Sequence, residues 1–564
     1  AASEGALADE EGAARAVTSR LTVLGERAFT RDARRQAQLL HARKGLYPAV
    51  GGARRPGTSL LLEDVAFPVE RLAEGTLDLQ RLFRTHALDD AVIFGHAKDG
   101  NLHFLVTQSV DDAASVDRYG RFLDDVVELV AHRHGGALKA EHGTGRNMAP
   151  FVEAEWGAEA VALMRRLKDL LDPEGILNPG VILAAGPRAH LDHLKTVPLV
   201  DPETDRCVEC GYCESVCPSR ALTLTPRQRI VVRRERARRA AAGDARGVAA
   251  LEAEWGYAGL DTCATDGLCE RACPVGIDTG TLVKRLRAEG HGPVTRAAAE
   301  FGASHYGALV TLGRTAVGVG HAAGLPLPRS GHPAPRPRST PGDVAVYFPS
   351  CTGRVFGGAG DPLLTLATRA GVSLRVPARL EESCCGLPFD SKGFPEAGAR
   401  IRDRTVDRLR DASDGGRLPI VVDGSSCTHA LAQGASLTVL DSVAFARTHL
   451  LPRLEIRRRL PDAAVHVPCG ARHLDLADDL VAIASAVAAR VTVPFGESCC
   501  GFAGDRGLSH PELTASATAP MAEALRAAGH TLGVTSNLTC GIGMAKGCGF
   551  PFRGVLEVLV EVTG

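Results

Sequence analysis

The sequence predicts a multidomain α+β protein, and three observations lead there. It has 564 residues, too many for one hydrophobic core. Its cysteines gather in two short runs near the middle and in a repeated pattern in the last third. Its first third mixes helical stretches with short apolar strand-like runs and glycine-rich turns. The expected parts are an α+β domain over 1–186, a helical cysteine-bearing domain over 187–300, a Pro-rich linker over 301–342, and two α/β copies over 343–460 and 461–564.

Lys plus Arg is 65 and Asp plus Glu is 66, a net charge of −1. No long-range pull toward nucleic acid or anionic lipid follows from that balance. The basic stretch Arg233–Arg239 is flanked by acids and reads as a solvated helix face. Sixteen cysteines in CxxC and CC groups fit metal binding in a reducing compartment better than a disulfide scaffold. A cytoplasmic location, at most peripheral at the inner face of a membrane, is expected. No run of about 18 apolar residues predicts a membrane span, and the opening residues do not read as a signal peptide.

In the first part, Leu60–Pro68 reads as a buried strand ending at proline. Residues 91–106 hold two apolar runs around Lys98-Asp99-Gly100-Asn101, a hairpin signal. That hairpin brings His96 and His103 together, within reach of one metal ion. Farther along, Gly135–Gly145 carries Glu141 and His142. Two histidines and one carboxylate leave coordination positions open, as catalytic sites do.

The middle part opens with Cys207, Cys210, Cys213, Cys217 and Pro218 in the spacing C-x-x-C-x-x-C-x-x-x-C-P. In that bacterial ferredoxin run the fourth cysteine serves a second cluster. A second half follows with Cys263, Cys269, Cys273 and Pro274, but Asp266 replaces its second cysteine. One group is therefore Cys207, Cys210, Cys213 and Cys273. The other is Cys217, Cys263 and Cys269, with Asp266 either a ligand or a solvent-facing turn residue. Zinc knuckles are the alternative; the eleven-residue run closed by proline favours iron–sulfur. The 45 residues between Cys217 and Cys263 are helix-like from Pro226 to Trp255, too long for a minimal β-type ferredoxin. The stretch resembles the helical ferredoxin modules of respiratory dehydrogenases.

The first part resembles the C-terminal substrate domain of FAD-linked oxidases, the family of D-lactate, glycolate and D-2-hydroxyglutarate dehydrogenases. The matching residues are Gly95-His96, Asp99–His103, Glu141-His142-Gly143, Gly145, and Leu171-Asp172-Pro173 through Ile176–Gly180. The resemblance implies that His96, His103 and Glu141 bind a divalent metal, zinc or manganese. It implies His142 as the base that takes a hydroxyl proton, Asn101 near the substrate, and Asn178 and Gly180 near FAD. Arg43 or Lys44 is the candidate cation for a substrate carboxylate. No Gly-rich flavin pyrophosphate loop is read in these residues, so the FAD-binding half is expected outside this sequence.

The last part repeats itself. Cys351, Cys384-Cys385 and Cys427 recur as Cys469, Cys499-Cys500 and Cys540, at offsets of 118, 115 and 113 residues. Three landmarks at nearly one spacing mean a duplication. The pattern resembles the CCG domains of heterodisulfide reductases. The first cysteine of each closing pair is replaced, by Gly424 and Asn537. That leaves an ordinary shared cluster, zinc, a redox dithiol or inert thiols as readings.

Together these parts predict an FAD- and iron–sulfur-dependent D-2-hydroxyacid dehydrogenase, acting on D-lactate or D-2-hydroxyglutarate. It would carry two 4Fe-4S clusters, with one more in the CCG part, and act as a homo-oligomer. Its acceptor would be a quinone, a cytochrome or an electron-transfer flavoprotein. The competing reading is an electron-transfer component with no substrate of its own.

Overall fold

The computed structural model describes residues 3–20, 29–325, 328–357, 361–433, 437–494 and 499–563, without the side chains of 34 and 41–44. Its contacts divide the chain into two compact units, 1–55 with 60–194, and 56–59 with 195–564.

The first unit is built on a three-stranded sheet of β1 (Ser59–Ala66), β2 (Val92–His96) and β3 (Asn101–Gln108), with β3 central. β2 and β3 pair antiparallel, with His96 opposite Asn101 and Phe94 opposite His103. His96 and His103 are thus diagonal neighbours on one face, within side-chain reach of each other, with ring centroids 5.6 Å apart. Gly100 closes the turn at φ +69°, and a Cβ there would meet the Phe67 carbonyl at 2.0 Å. Helices Leu72–Thr85 and Ala113–Val127 bury Leu79, Phe83, Phe122 and Leu123 against Phe104 and Val106 of the sheet.

The second unit opens with the cysteine-run loops and a helical hairpin, Pro226–Ala241 and Ala245–Trp255, turned at Gly243. Thr225 and Gln228 form a capping box at its start, with Pro226 in the first turn, a complete helix-start signal. The basic stretch there differs from a uniformly solvated face. Arg236, Arg238 and Arg239 pair with Glu252 and Glu235 on the outside. Arg233 and Arg234 instead turn inward to Asp201 and Glu209, because the helix packs over the loop that carries those acids.

Asp201 is buried and accepts two bonds of 2.9 Å from Arg233 and one of 2.6 Å from Arg285. Burial alone would raise its pKa, but the two guanidiniums hold it below the ordinary carboxylate value. A folded-state pKa below the unfolded one stabilises at pH above about 3.9 and is lost as pH falls through the depressed value. Asp201→Ala is expected to cost about 3 kcal/mol at neutral pH. Urea midpoints should converge with wild type as the pH is lowered below that window.

Residues 301–342 are not a linker throughout. A helix spans Tyr306–Ala322, and Tyr306 and Val310 are buried in the core of the following domain. The proline-rich stretch begins only after this helix, and the helix's glycines and alanines mask its apolar stripe.

The remainder is two four-stranded sheets of like order. β4 (Asp343–Phe348), β5 (Ser373–Arg375), β6 (Ile420–Val422) and β7 (Val439–Asp441) run β5-β4-β6-β7. β8 (Leu460–Val465), β9 (Ala488–Thr492), β10 (Gly533–Thr535) and β11 (Phe552–Gly554) run β9-β8-β10-β11. All pairings are parallel. Ala345–Phe348 and Ile420–Val422 are buried on both faces, as covered parallel strands must be. The halves meet where the replaced cysteines stand: Asn537 Oδ1 accepts the Ser425 amide at 3.0 Å, and Asn537 Nδ2 donates to Ser426 Oγ at 3.2 Å.

Candidate functional site

In the first unit the imidazoles and the acid converge. His103 Nε2 lies 2.9 Å and His96 Nε2 3.4 Å from the same Glu141 Oε1, with His142 Nε2 at 4.0 Å. The ligand atoms of His96, His103 and Glu141 all lie within 4.8 Å of one another. His142 stacks on His103 with ring centroids 4.7 Å apart. The His103 side chain is 5 % exposed, whereas those of His96, Glu141 and His142 are 37, 51 and 39 % exposed. The cluster is therefore rooted on one side and open on the other. Burial pushes the His103 imidazole below its ordinary pKa, which favours the neutral form that can ligate.

The segment bearing Glu141 and His142 has no regular structure, so something must hold it. Two carboxylates on β1 do so, neither of them singled out by motif or spacing. Asp64 Oδ2 accepts the amides of Ala140, Glu141 and His142 at 3.0, 2.7 and 2.9 Å. Burial alone would raise its pKa; these amides and Asn101 hold it low. Its Oδ1 lies 3.3 Å from His103 Nδ1, the position of a group that orients a ligating histidine. Glu63 pairs with Lys139 at 2.6 Å and with Asn147. Neighbouring strand residues point to opposite faces, so the pair secures the segment at two places. The available signal is two acids inside an otherwise apolar buried strand.

Asn101, expected near the substrate, contacts the Asp64 carboxylate. It is buried, and its Nδ2 donates to Asp64 Oδ1 at 2.5 Å and to the Val65 carbonyl at 3.2 Å, so it positions Asp64. Asn178 and Gly180 sit in an exposed loop, with φ of +47° and +77°. The loop's end is tied to the Gly-rich segment by Ile182 donating to the Gly145 carbonyl at 3.2 Å. The Arg43 and Lys44 side chains lie outside the described residues.

In the second unit, Cys207, Cys210, Cys213 and Cys273 line one small cavity. Cys217, Cys263, Asp266 and Cys269 line another. Burial pushes the Cys213 thiol up to about 12, so a thiolate there needs a positive partner. Asp266 is not a solvent-facing turn residue. Its Oδ1 accepts the Leu268 amide at 2.9 Å, and its Oδ2 is shut away from solvent without a well-aligned partner.

Each sheet of the duplicated part delivers a row of thiols from the carboxyl ends of its strands, where parallel sheets present their sites. The first row runs Cys351–Cys384–Cys385–Cys427, with Cys385 and Cys427 sulfurs 3.3 Å apart. The second runs Cys469–Cys499–Cys500–Cys540. Gly386 and Gly501 follow the thiol pairs at φ +87° and +71°, and a Cβ would strike the Gly398 and Leu513 carbonyls at 2.5 and 2.9 Å. That is the physical reason for glycine after each pair. Among the described residues no disulfide is present, and Cys548 is buried in the same apolar cluster as Cys500 and Cys540 of the second row.

Comparison with known proteins follows the same division. Residues 2–182 match the family model for FAD linked oxidases, C-terminal domain. Residues 203–277 match the 4Fe-4S dicluster domain, and 345–432 with 463–545 match the cysteine-rich CCG domain. Glycolate oxidase subunit GlcD of Bacillus subtilis is 30 % identical over 140 residues, 25 % of this chain and 29 % of that protein. D-2-hydroxyglutarate dehydrogenase of Xanthomonas citri pv. viticola is 42 % identical over 94 residues, 16 % of this chain and 20 % of that protein. A probable mitochondrial D-lactate dehydrogenase of Danio rerio is 29 % identical over 156 residues, 28 % of this chain and 31 % of that protein. The chain spans less than a third of the length of each of these relatives.

Proposed function

We propose that this chain, which carries an FAD-linked oxidase C-terminal domain, a 4Fe-4S dicluster domain and a CCG domain, is the substrate and electron-transfer part of a D-2-hydroxyacid dehydrogenase. D-Lactate or D-2-hydroxyglutarate is the substrate. The observation that carries the reading is the convergence of His96, His103 and Glu141, with His142 stacked beside them on the open side. The donor set suits zinc or manganese. Held by these residues, the ion would supply polarisation of the substrate hydroxyl, and FAD would supply the hydride acceptor.

The residues of this chain do the rest. His103, seated by Asp64 on one side, presents Nε2 toward Glu141. His142, stacked on His103, would take the hydroxyl proton, a role for which imidazole is the side chain best suited near neutral pH. Arg43 is the candidate partner of the substrate carboxylate, and Asn178 and Gly180 would face the flavin. Cys207, Cys210, Cys213 and Cys273 would hold one cluster. Cys217, Cys263, Cys269 and Asp266 would hold the other. Single electrons would then pass to further iron held by the thiol rows and on to a quinone, cytochrome or flavoprotein acceptor, in a homo-oligomer. Among the described residues no helix is long and apolar enough to cross a membrane.

The deciding experiment is a panel of 2-hydroxy acids with a dye acceptor on the full-length protein, this chain together with its FAD-binding half and loaded with flavin, alongside iron and flavin quantification. Dye reduction by one D-hydroxy acid supports the enzyme; iron-loaded protein inert to every acid supports an electron carrier. His96→Ala and His103→Ala should each weaken manganese or zinc binding at least about 10-fold, read by titration of the metal-stripped protein. Unchanged affinity in both would remove the metal from the scheme.

A further inference from the structure

The two thiol rows are alike by duplication but differ in what touches them. The second row abuts the dicluster part. Cys499 and Cys469 pack with Val216, Ala264, Leu268 and Ala272, residues interleaved with Cys217, Cys263 and Cys269. The Cys499 thiol lies against the Asp266 carboxylate, the group that replaces a cysteine. His473, on the same helix as Cys469 (Cys469–His473), brings Nε2 within 2.8 Å of the Asp266 carbonyl. Its ring fills the space beside Gly267, where a Cβ would come within 2.9 Å of Nε2. The first row has a phenol beside it instead: Tyr306 is buried in one core cluster with Cys384, and Cys351 packs against that cluster.

We infer that the second thiol row, and not the first, receives electrons from the Cys217–Cys263–Cys269 site, across the Asp266–Cys499 contact, with His473 as the positioning residue of that junction. The inference rests on the proposed assignment of iron to both the dicluster sites and the rows. Single electrons cross, and no bond is made or broken. His473 acts through Asp266: by holding its carbonyl, it keeps the carboxylate between the site and Cys499. Substitution of cysteine by aspartate shortens nothing in the loop but gives the site a side chain that reaches the neighbouring domain. The first row then stands farther along the route, nearer the final acceptor.

The test uses the full chain, reconstituted anaerobically with iron and sulfide and reduced with dithionite. The signal of the second dicluster site is identified by its loss in Cys269→Ser. Cys499→Ser and Cys384→Ser occupy the same place in the two halves. Each should lower iron content by the same amount. Only Cys499→Ser should change the line shape and relaxation of the second-site resonance. His473→Leu should change that resonance too, and His473→Gln, whose side-chain N–H can still donate to the Asp266 carbonyl, should restore it. The inference is overturned if Cys384→Ser perturbs the second site as much as Cys499→Ser, or if neither does while iron falls in both. Iron unchanged in both serine variants would overturn the assignment of iron to the rows, and the inference with it.

Discussion

His142→Ala slows reduction of the flavin by its 2-hydroxy acid about 10²- to 10⁴-fold, the usual worth of a positioned general base. Its neighbours set that expectation. The ring is stacked 4.7 Å from His103, so it shares the face where Glu141, His96 and His103 converge. Its backbone amide is held by Asp64 at 2.9 Å, so removing the side chain leaves the segment in place. Iron content and metal affinity should therefore stay at wild-type levels while the rate falls, and His142→Gln should not rescue it, because an amide cannot take the proton. Rapid-mixing measurement of flavin bleaching separates this from any change in downstream electron transfer. A His142→Ala protein that bleaches its flavin at the wild-type rate would take the base role away from this residue.

Asp64→Ala should be the most damaging single change in the first unit. It removes the acceptor of three backbone amides and of the Asn101 side chain at once. Leaving buried donors unpaired costs about 1–3 kcal/mol each, and the losses overlap, so a total of about 3–5 kcal/mol is expected. The effect should be local first. Hydrogen exchange at Ala140, Glu141 and His142 should speed up while the amides of the helix Ala113–Val127 stay protected. Metal affinity should fall with it, since His103 loses its orienting neighbour. Asp64→Asn, which keeps one acceptor oxygen, should recover part of the protection. Exchange at 140–142 unchanged in Asp64→Ala would show that the Gly-rich segment is held by Glu63 and its partners instead.

These two residues mark the border of what spacing can tell. His142 stands in a Glu-His-Gly stretch that draws attention by chemistry alone. Asp64 stands in an apolar run, where a carboxylate reads as an interruption. Its role depends on a segment some 76 residues later in the chain, and such a pairing leaves no periodic trace. Asn101 shows the converse: turn chemistry singles it out, but only the fold reveals that its amide nitrogen donates to Asp64 and Val65. Asp266 is legible as a departure from four cysteines, but a burial state is not written in a tripeptide. Its surroundings come from Cys499 and His473, more than 200 residues away.

By itself the sequence determined the kinds of chemistry present and their order: the hairpin histidines, the two cysteine runs and the duplicated thiol pattern. Ligand spacing and repeat period are local properties, set by how far a few residues of backbone can reach. Tertiary structure alone decided which carboxylates hold the Glu141–His142 segment, that Tyr306 lies against one thiol row and Asp266 against the other, and that the helix Tyr306–Ala322 belongs to a core. Those outcomes depend on which surfaces meet when separate elements pack, and burial and partner choice arise only there.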